Sequence, residues 1–169
     1  SHRVEGSGAA SVHNLVTLSR FPIVASRELK HELVPPLSYR YVTAQPPEAL
    51  TEQILFDRPI LLSELAVTPA TTIAIINVHL RAPLAAAVKG QKLAPFTWAT
   101  TSGWAEGFFV ASLKRNAQAL EIRLAIDQML DADPHRLIAV AGDLNAEDGE
   151  VPLKLLLAAS IEPTCRQPQ

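Results

Sequence analysis

The chain has 169 residues, room for one globular domain and little more, and 48% of them are apolar, enough for a core and unlike a disordered polymer. A formal net charge of −2 excludes the overall basic field of a dedicated duplex-DNA binder, although a local basic groove stays open. No run reaches the roughly 18 apolar residues of a membrane span, no leader pattern opens the chain, and the single cysteine, Cys165, cannot make an internal disulfide. A soluble protein, cytoplasmic in preference to secreted, is the expectation, with oligomeric state left open.

Residues 1–13, rich in Gly, Ser and Ala, read as a flexible lead-in or a tag remnant, because the chain opens Ser1-His2. Residues 14–18 form a short extended run that Arg20-Phe21-Pro22 breaks, since proline lacks a ladder N–H and pushes its predecessor to extended geometry. A second extended stretch reaches about Val34. Pro35-Pro36 and Pro46-Pro47 then bracket a loop holding Tyr39, Arg40 and Tyr41. Residues 60–67 and 71–79 read as strands joined by the turn Thr68-Pro69-Ala70, an antiparallel hairpin. The nearly unbroken β-branched run in the second predicts a buried strand ending in polar residues.

Residues 81–107 read as a loop well beyond the ~12–15 residues above which loops tend to be functional or disordered, part of it shaping a substrate cleft. Phe96, Trp98 and Trp104 within it either pack down as an anchored cover, the favoured reading, or stack a ligand ring. Residues 108–130 are the best helix: Phe109, Leu113, Ala117, Leu120, Leu124 and Met129 recur at helical spacing, while Lys114, Gln118, Glu121, Arg123 and Asp127 fall largely elsewhere. A strand over 137–141, a polar turn over 142–149, a helix over 151–159 and a tail over 162–169 complete the chain. Strands first, then helix, strand and helix, predict a mixed α/β layered domain.

Two strand ends carry candidate chemistry. On an extended chain Asp143 and Asn145 would point to one side, offering a carboxylate that can hold a Mg²⁺-like ion or orient water and an amide that can donate to a phosphate oxygen. The plain alternative is an Asx-rich turn after a strand. Asn77 and His79 show the same spacing, and the histidine is either structural or a proton donor and phosphate ligand. The two ends reinforce each other only if they are neighbours in space.

Residues 14–23 (NLVTLSRFPI), Asp57-Arg58-Pro59-Ile60-Leu61, Asn77-Val78-His79-Leu80 and Gly142-Asp143-Leu144-Asn145 resemble, in order and interval, the motifs of the endonuclease/exonuclease/phosphatase superfamily. The intervening helix with Arg115 and Gln118 agrees as well, so the likeness spans about residues 14–157. It implies a four-layer α/β sandwich of two packed sheets flanked by helices, and a Mg²⁺- or Mn²⁺-dependent attack of water on phosphorus. It further implies that His79 binds or protonates phosphate, in the protonated form that nearby carboxylates would favour. By the same likeness Asp143 orients the water, Asn145 contacts phosphate, Asn77 and Arg58 support phosphate binding, and Asp143 and Asn145 are candidate metal ligands. The family's metal-binding glutamate strand and its closing Asp-His pair have no match here, because Glu147 and Asp148 lie too close to Asn145 and His135 precedes the motif. Residues 14–161 therefore read as the central and C-terminal part of such a domain, acting on a phosphoester, with nucleic acid among the candidate substrates. The alternative is a non-catalytic phosphate- or nucleic-acid-binding remnant of the fold.

Overall fold

The computed structural model describes residues 1–8 and 14–158. The expected tail, with Cys165, and the end of the last expected helix lie outside the described residues. In chain order the elements are β1 (His2–Glu5), β2 (Val16–Ser19), β3 (Ile23–Leu29), β4 (Leu37–Tyr39), β5 (Glu52–Ile54), β6 (Ile60–Thr68) and β7 (Thr71–His79). They continue with β8 (Lys92–Ala94), β9 (Thr97–Trp98), α1 (Thr101–Ala132), β10 (Leu137–Asp143) and α2 (Val151–Leu157).

A four-stranded mixed sheet, in the order β10-β7-β6-β3, organises the fold, and three two-stranded ribbons, β1-β2, β4-β5 and β8-β9, surround it. The expected hairpin is present, β6 and β7 pairing antiparallel from Leu61 opposite Asn77 to Thr68 opposite Thr71. β10 joins β7 in parallel. Parallel neighbours need a crossover, and α1 supplies it, so the C-terminal ends of β7 and β10 arrive at the same edge of the sheet.

One face of the sheet is sealed by α1. Ile60 and Leu62 of β6 and Ile76 and Val78 of β7 pack with Ala119, Ile122 and Ala125 of the helix, all at most 3% exposed. Burying each such Ile, Leu or Val side chain contributes about 1.5–3 kcal/mol. The opposite face is only partly covered: Ile73 and Ile75 of β7 are half-buried there, and the β1-β2 ribbon reaches it near Asn77. β7 therefore alternates buried and half-buried residues, where the β-branched run alone predicts a strand buried throughout.

Four expectations need correction. Residues 2–5, inside the expected flexible lead-in, form β1, because Val4 and its neighbours find an antiparallel partner in β2. The Tyr39 loop includes a strand, β4, paired with β5. The expected loop over 81–107 contains the β8-β9 ribbon and the first turns of α1, which starts at Thr101 because Thr100 caps it, accepting a hydrogen bond from the Gly103 amide. The buried stripe of α1 is also rotated from the one expected. It runs Ala111, Arg115, Gln118, Ile122 and Ala125, with Glu121 fully buried beside it, while Phe109 is nearly half exposed. Polar residues occupy this stripe because each meets a backbone partner, as the site shows.

Candidate functional site

At the common edge of β7 and β10, His79 lies opposite Asp143 in the ladder, so both side chains leave the same face. The His79 Nε2 stands 3.6 Å from the Asp143 Oδ2. On the other side of the ring, Nδ1 meets the Arg58 guanidinium at 2.5 Å. A guanidinium has donors only, so in this contact Nδ1 accepts and the ring proton sits on Nε2, facing Asp143. A cation on one side and one carboxylate on the other form the environment.

Gly142 explains how Asp143 reaches this position. Its φ of +131° is closed to residues with a side chain, and a Cβ there would stand 2.0 Å from the Val78 carbonyl oxygen. The absence of that atom lets β10 close against β7 through its last residue, and the Leu80 amide then donates to the Asp143 carbonyl at 2.9 Å.

Asn145 is not on an extended chain with Asp143. The strand ends at Asp143, Asn145 adopts a φ of +47°, and its amide donates to the Asp143 Oδ1 at 2.9 Å. This is an Asx turn, which wins over extension because the short aspartate side chain replaces the ladder partner the chain has lost. The Asn145 side-chain amide donates to the Leu80 carbonyl at 2.9 Å and thereby latches the β10 turn to the end of β7. Asn77 is likewise engaged, donating to the Val16 carbonyl at 3.0 Å and holding the β1-β2 ribbon on the sheet. His79, Asp143 and Arg58 converge directly, while the two asparagine amides brace the elements around them.

A small cavity of about 60 Å³ opens beside His79, bordered by Asp57, Arg58, Leu80, Arg81 and Gln118. Whole-ligand pockets run ~300–1,000 Å³, so this one suits a single compact group. Its electrostatics are cationic: Asp57 binds Arg81 at 3.2 Å and Lys114 at 2.7 Å, so two cations share one carboxylate, and Arg58 adds a third. Arg81 and Lys114 went unnoticed in the sequence. The one available signal was a basic residue two positions beyond His79.

Two buried side chains of α1 fix the loops that carry these groups. Gln118, 2% exposed, accepts from the Arg81 amide at 2.8 Å, and Arg115, 7% exposed, donates to the Asn145 carbonyl at 2.8 Å. Elsewhere on the helix Glu121 accepts from the amides of Glu32, Leu33 and Val34, and Glu106 accepts from the Val42 and Thr43 amides and the Tyr39 and Thr43 hydroxyls. Burial pushes the Glu106 carboxyl up. Its hydrogen bonds from Thr43, Val42 and Tyr39 outweigh that and hold it below the usual range.

No protein family, curated protein or solved structure matches this chain. Among the described residues no group of three or more His, Cys, Asp or Glu side chains converges to hold a metal ion. Asp57 is engaged by two cations, which leaves Asp143 as the carboxylate facing outward, its side chain 58% exposed. A hard cation such as Mg²⁺ commonly takes one or two carboxylates and fills its shell with water and phosphate oxygens, so Asp143 fits part of such a shell and not all of it. Among the described residues no helix is long and apolar enough to cross a membrane.

Proposed function

We propose that this chain is the central and C-terminal part of a phosphoester hydrolase of the endonuclease/exonuclease/phosphatase type, with His79, Asp143 and Arg58 at its reacting centre. The observation that carries the reading is the direct pairing of Asp143 with His79 at one sheet edge, with Arg58 and Arg81 lining the adjoining cavity and Lys114 paired with Asp57 at its border. A phosphoryl group seated there meets Arg58 and Arg81 as charge-assisted donors and the His79 Nε2 proton as a further donor. Asp143, on the opposite rung, accepts a hydrogen bond from the attacking water and orients it in line with the leaving oxygen. Asn145 and Asn77 act in this scheme by bracing the strand ends, and each comes into reach of a phosphate oxygen only on releasing its present acceptor.

Mg²⁺ or Mn²⁺, with Asp143 and Asn145 as its ligands from this chain, would supply Lewis-acid stabilisation of the phosphoryl oxygens. The remaining positions would fall to water, substrate oxygens and a carboxylate that the described residues do not contribute. In the same reading the fold is a four-layer α/β sandwich, a second sheet packing on the face that Ile73, Ile75 and Ala139 present and the β1-β2 ribbon only begins to cover. The substrate is a phosphoester, with nucleic acid among the candidates.

A second reading, phosphate binding without turnover, draws on the same cation cluster and on the incomplete carboxylate set. Hydrolysis of single-stranded DNA and of a bis-aryl phosphodiester, assayed with Mg²⁺ and with Mn²⁺, separates the two. The hydrolase reading expects turnover that falls at least about a hundred-fold in His79→Ala and in Asp143→Ala, the scale of losing one transition-state donor. Phosphate binding with no turnover in the parent chain favours the second.

A further inference from the structure

Of Phe96, Trp98 and Trp104, only Trp98 packs down as their place in the sequence suggests. Phe96, at the tip of the β8-β9 ribbon, is 92% exposed, and Trp104, in the first turn of α1, is 48% exposed. Between ribbon and helix the three rings border a cleft of about 170 Å³ that Leu84, Ala85 and Lys92 complete. We propose that this cleft is a stacking site for a nucleobase of a phosphoester substrate.

The cleft is held open by built features. Gly107 carries no Cβ where one would stand 2.9 Å from the Trp98 ring, so that indole seats against the helix backbone. Gln91, 4% exposed, donates to the Thr43 carbonyl at 2.6 Å and accepts from the Thr100 hydroxyl at 2.7 Å, so the foot of the ribbon and the cap of α1 are one rigid unit. Exposed rings on a fixed frame lose little conformational freedom when a flat ligand slides over them.

The charge and size of the cleft point to its occupant. Lys92 sits with its ammonium 5.6 Å from the centre of the Trp98 ring, so an anionic ligand with an aromatic part is matched on both counts. The cleft holds one ring, and a second, more open space of about 380 Å³ bordered by the same three rings with Thr100 and Thr101 leaves room for the rest of a nucleoside. Ala82 borders the cationic cavity and Leu84 borders the cleft, so one backbone segment contributes to the walls of both. A net charge of −2 disfavours a wrapped duplex, whereas a single unstacked base needs only an aromatic platform and a local cation. A flat membrane would meet Phe96 but not the recessed Trp98.

This inference rests on the phosphoester reading for the substrate class, but its test needs no hydrolysis. The chain's two tryptophans both border the cleft, so tryptophan emission, excited at the red edge where Tyr39 and Tyr41 do not absorb, reports on it. Adenosine and adenosine 5′-monophosphate should quench the emission and ribose 5-phosphate should not, while Phe96→Ala should weaken adenosine binding at least about five-fold, the low end of base–aromatic stacking. A single-stranded octanucleotide compared with the mononucleotide tells a polynucleotide source from a free one, and quenching by either supports the site. Ribose 5-phosphate acting as strongly as the nucleotide, an unchanged affinity in Phe96→Ala, or a response to phosphatidylglycerol vesicles with none to nucleosides would overturn it. Nucleoside binding without hydrolysis sinks the hydrolase reading and leaves this one standing, and phosphodiester hydrolysis without nucleoside binding does the reverse.

Discussion

Gly142→Ala tests how β10 delivers Asp143 to His79. The new methyl group meets two penalties at once. At φ +131° the backbone lies where residues with a Cβ are strained, a cost of about 1–3 kcal/mol. The Cβ would also stand 2.0 Å from the Val78 oxygen and 2.9 Å from its carbonyl carbon, atoms of a paired strand that cannot yield without opening the ladder. Together these should cost about 3–5 kcal/mol, on the scale of overpacking added to backbone strain. Gly149 is the internal control: its φ is +86°, and a Cβ there would meet nothing within 4 Å. Gly149→Ala should therefore cost only the strain, about 1–2 kcal/mol. For a chain of this length roughly 2–4 °C accompanies each kcal/mol, so Gly142→Ala should lose about 6–20 °C in Tm and Gly149→Ala about 2–8 °C. Urea and thermal unfolding followed by circular dichroism measure both. Equal destabilisation by the two substitutions, within about 1 kcal/mol, would refute the argument that close approach to Val78 selects glycine before Asp143.

Glu121→Gln should destabilise by about 2–4 kcal/mol in urea unfolding, because the buried carboxylate accepts from three backbone amides and an amide side chain turns a donor toward one of them. Glu106→Gln should cost about 1–3 kcal/mol at neutral pH, the scale of a weakened buried charged acceptor. A carboxyl held below its usual value of 4.5 by folding contributes stability above that pH and loses it as pH falls through the folded value. The gap between wild type and Glu106→Gln should therefore narrow as pH falls below 4.5, and a gap independent of pH would contradict the assignment. Arg115→Met keeps much of the buried volume but removes the donor to the Asn145 carbonyl and the contact with Glu150, so limited proteolysis should cut residues 144–150 faster. An unchanged cleavage rate would show that the loop holds itself.

The elements most legible in the sequence were those whose signal is local. The 60–79 hairpin has β-branched runs around a proline turn, and both strands and their pairing appear where that pattern puts them. The strand before Asp143 was legible for the same reason. What single-strand periodicity could not supply was the partner: β1 pairs with β2 across a chain segment whose composition suggests only flexibility. The start of α1 was obscured because Gly103 and Gly107 look like loop residues, while the Thr100 cap and tight packing make them helical.

The same distinction governs the site. His79 and Asp143 could be picked out because each ends a hydrophobic strand, a pattern visible one strand at a time, yet their meeting depends on the α1 crossover that makes β10 parallel to β7. The side chains that hold the meeting in place were misassigned to the solvent face of α1, since an apolar-stripe argument treats Gln118 and Glu121 as polar and therefore outward. Their burial follows from a different accounting, in which backbone amides at the Arg81 turn and at residues 32–34 need acceptors and the helix is the nearest element able to provide them. Arg115 answers the complementary need of the Asn145 carbonyl. A helix that seals the core with Ala119, Ile122 and Ala125 thus also fixes both strand-end loops, so any displacement of α1 is passed directly to the spacing of His79 and Asp143.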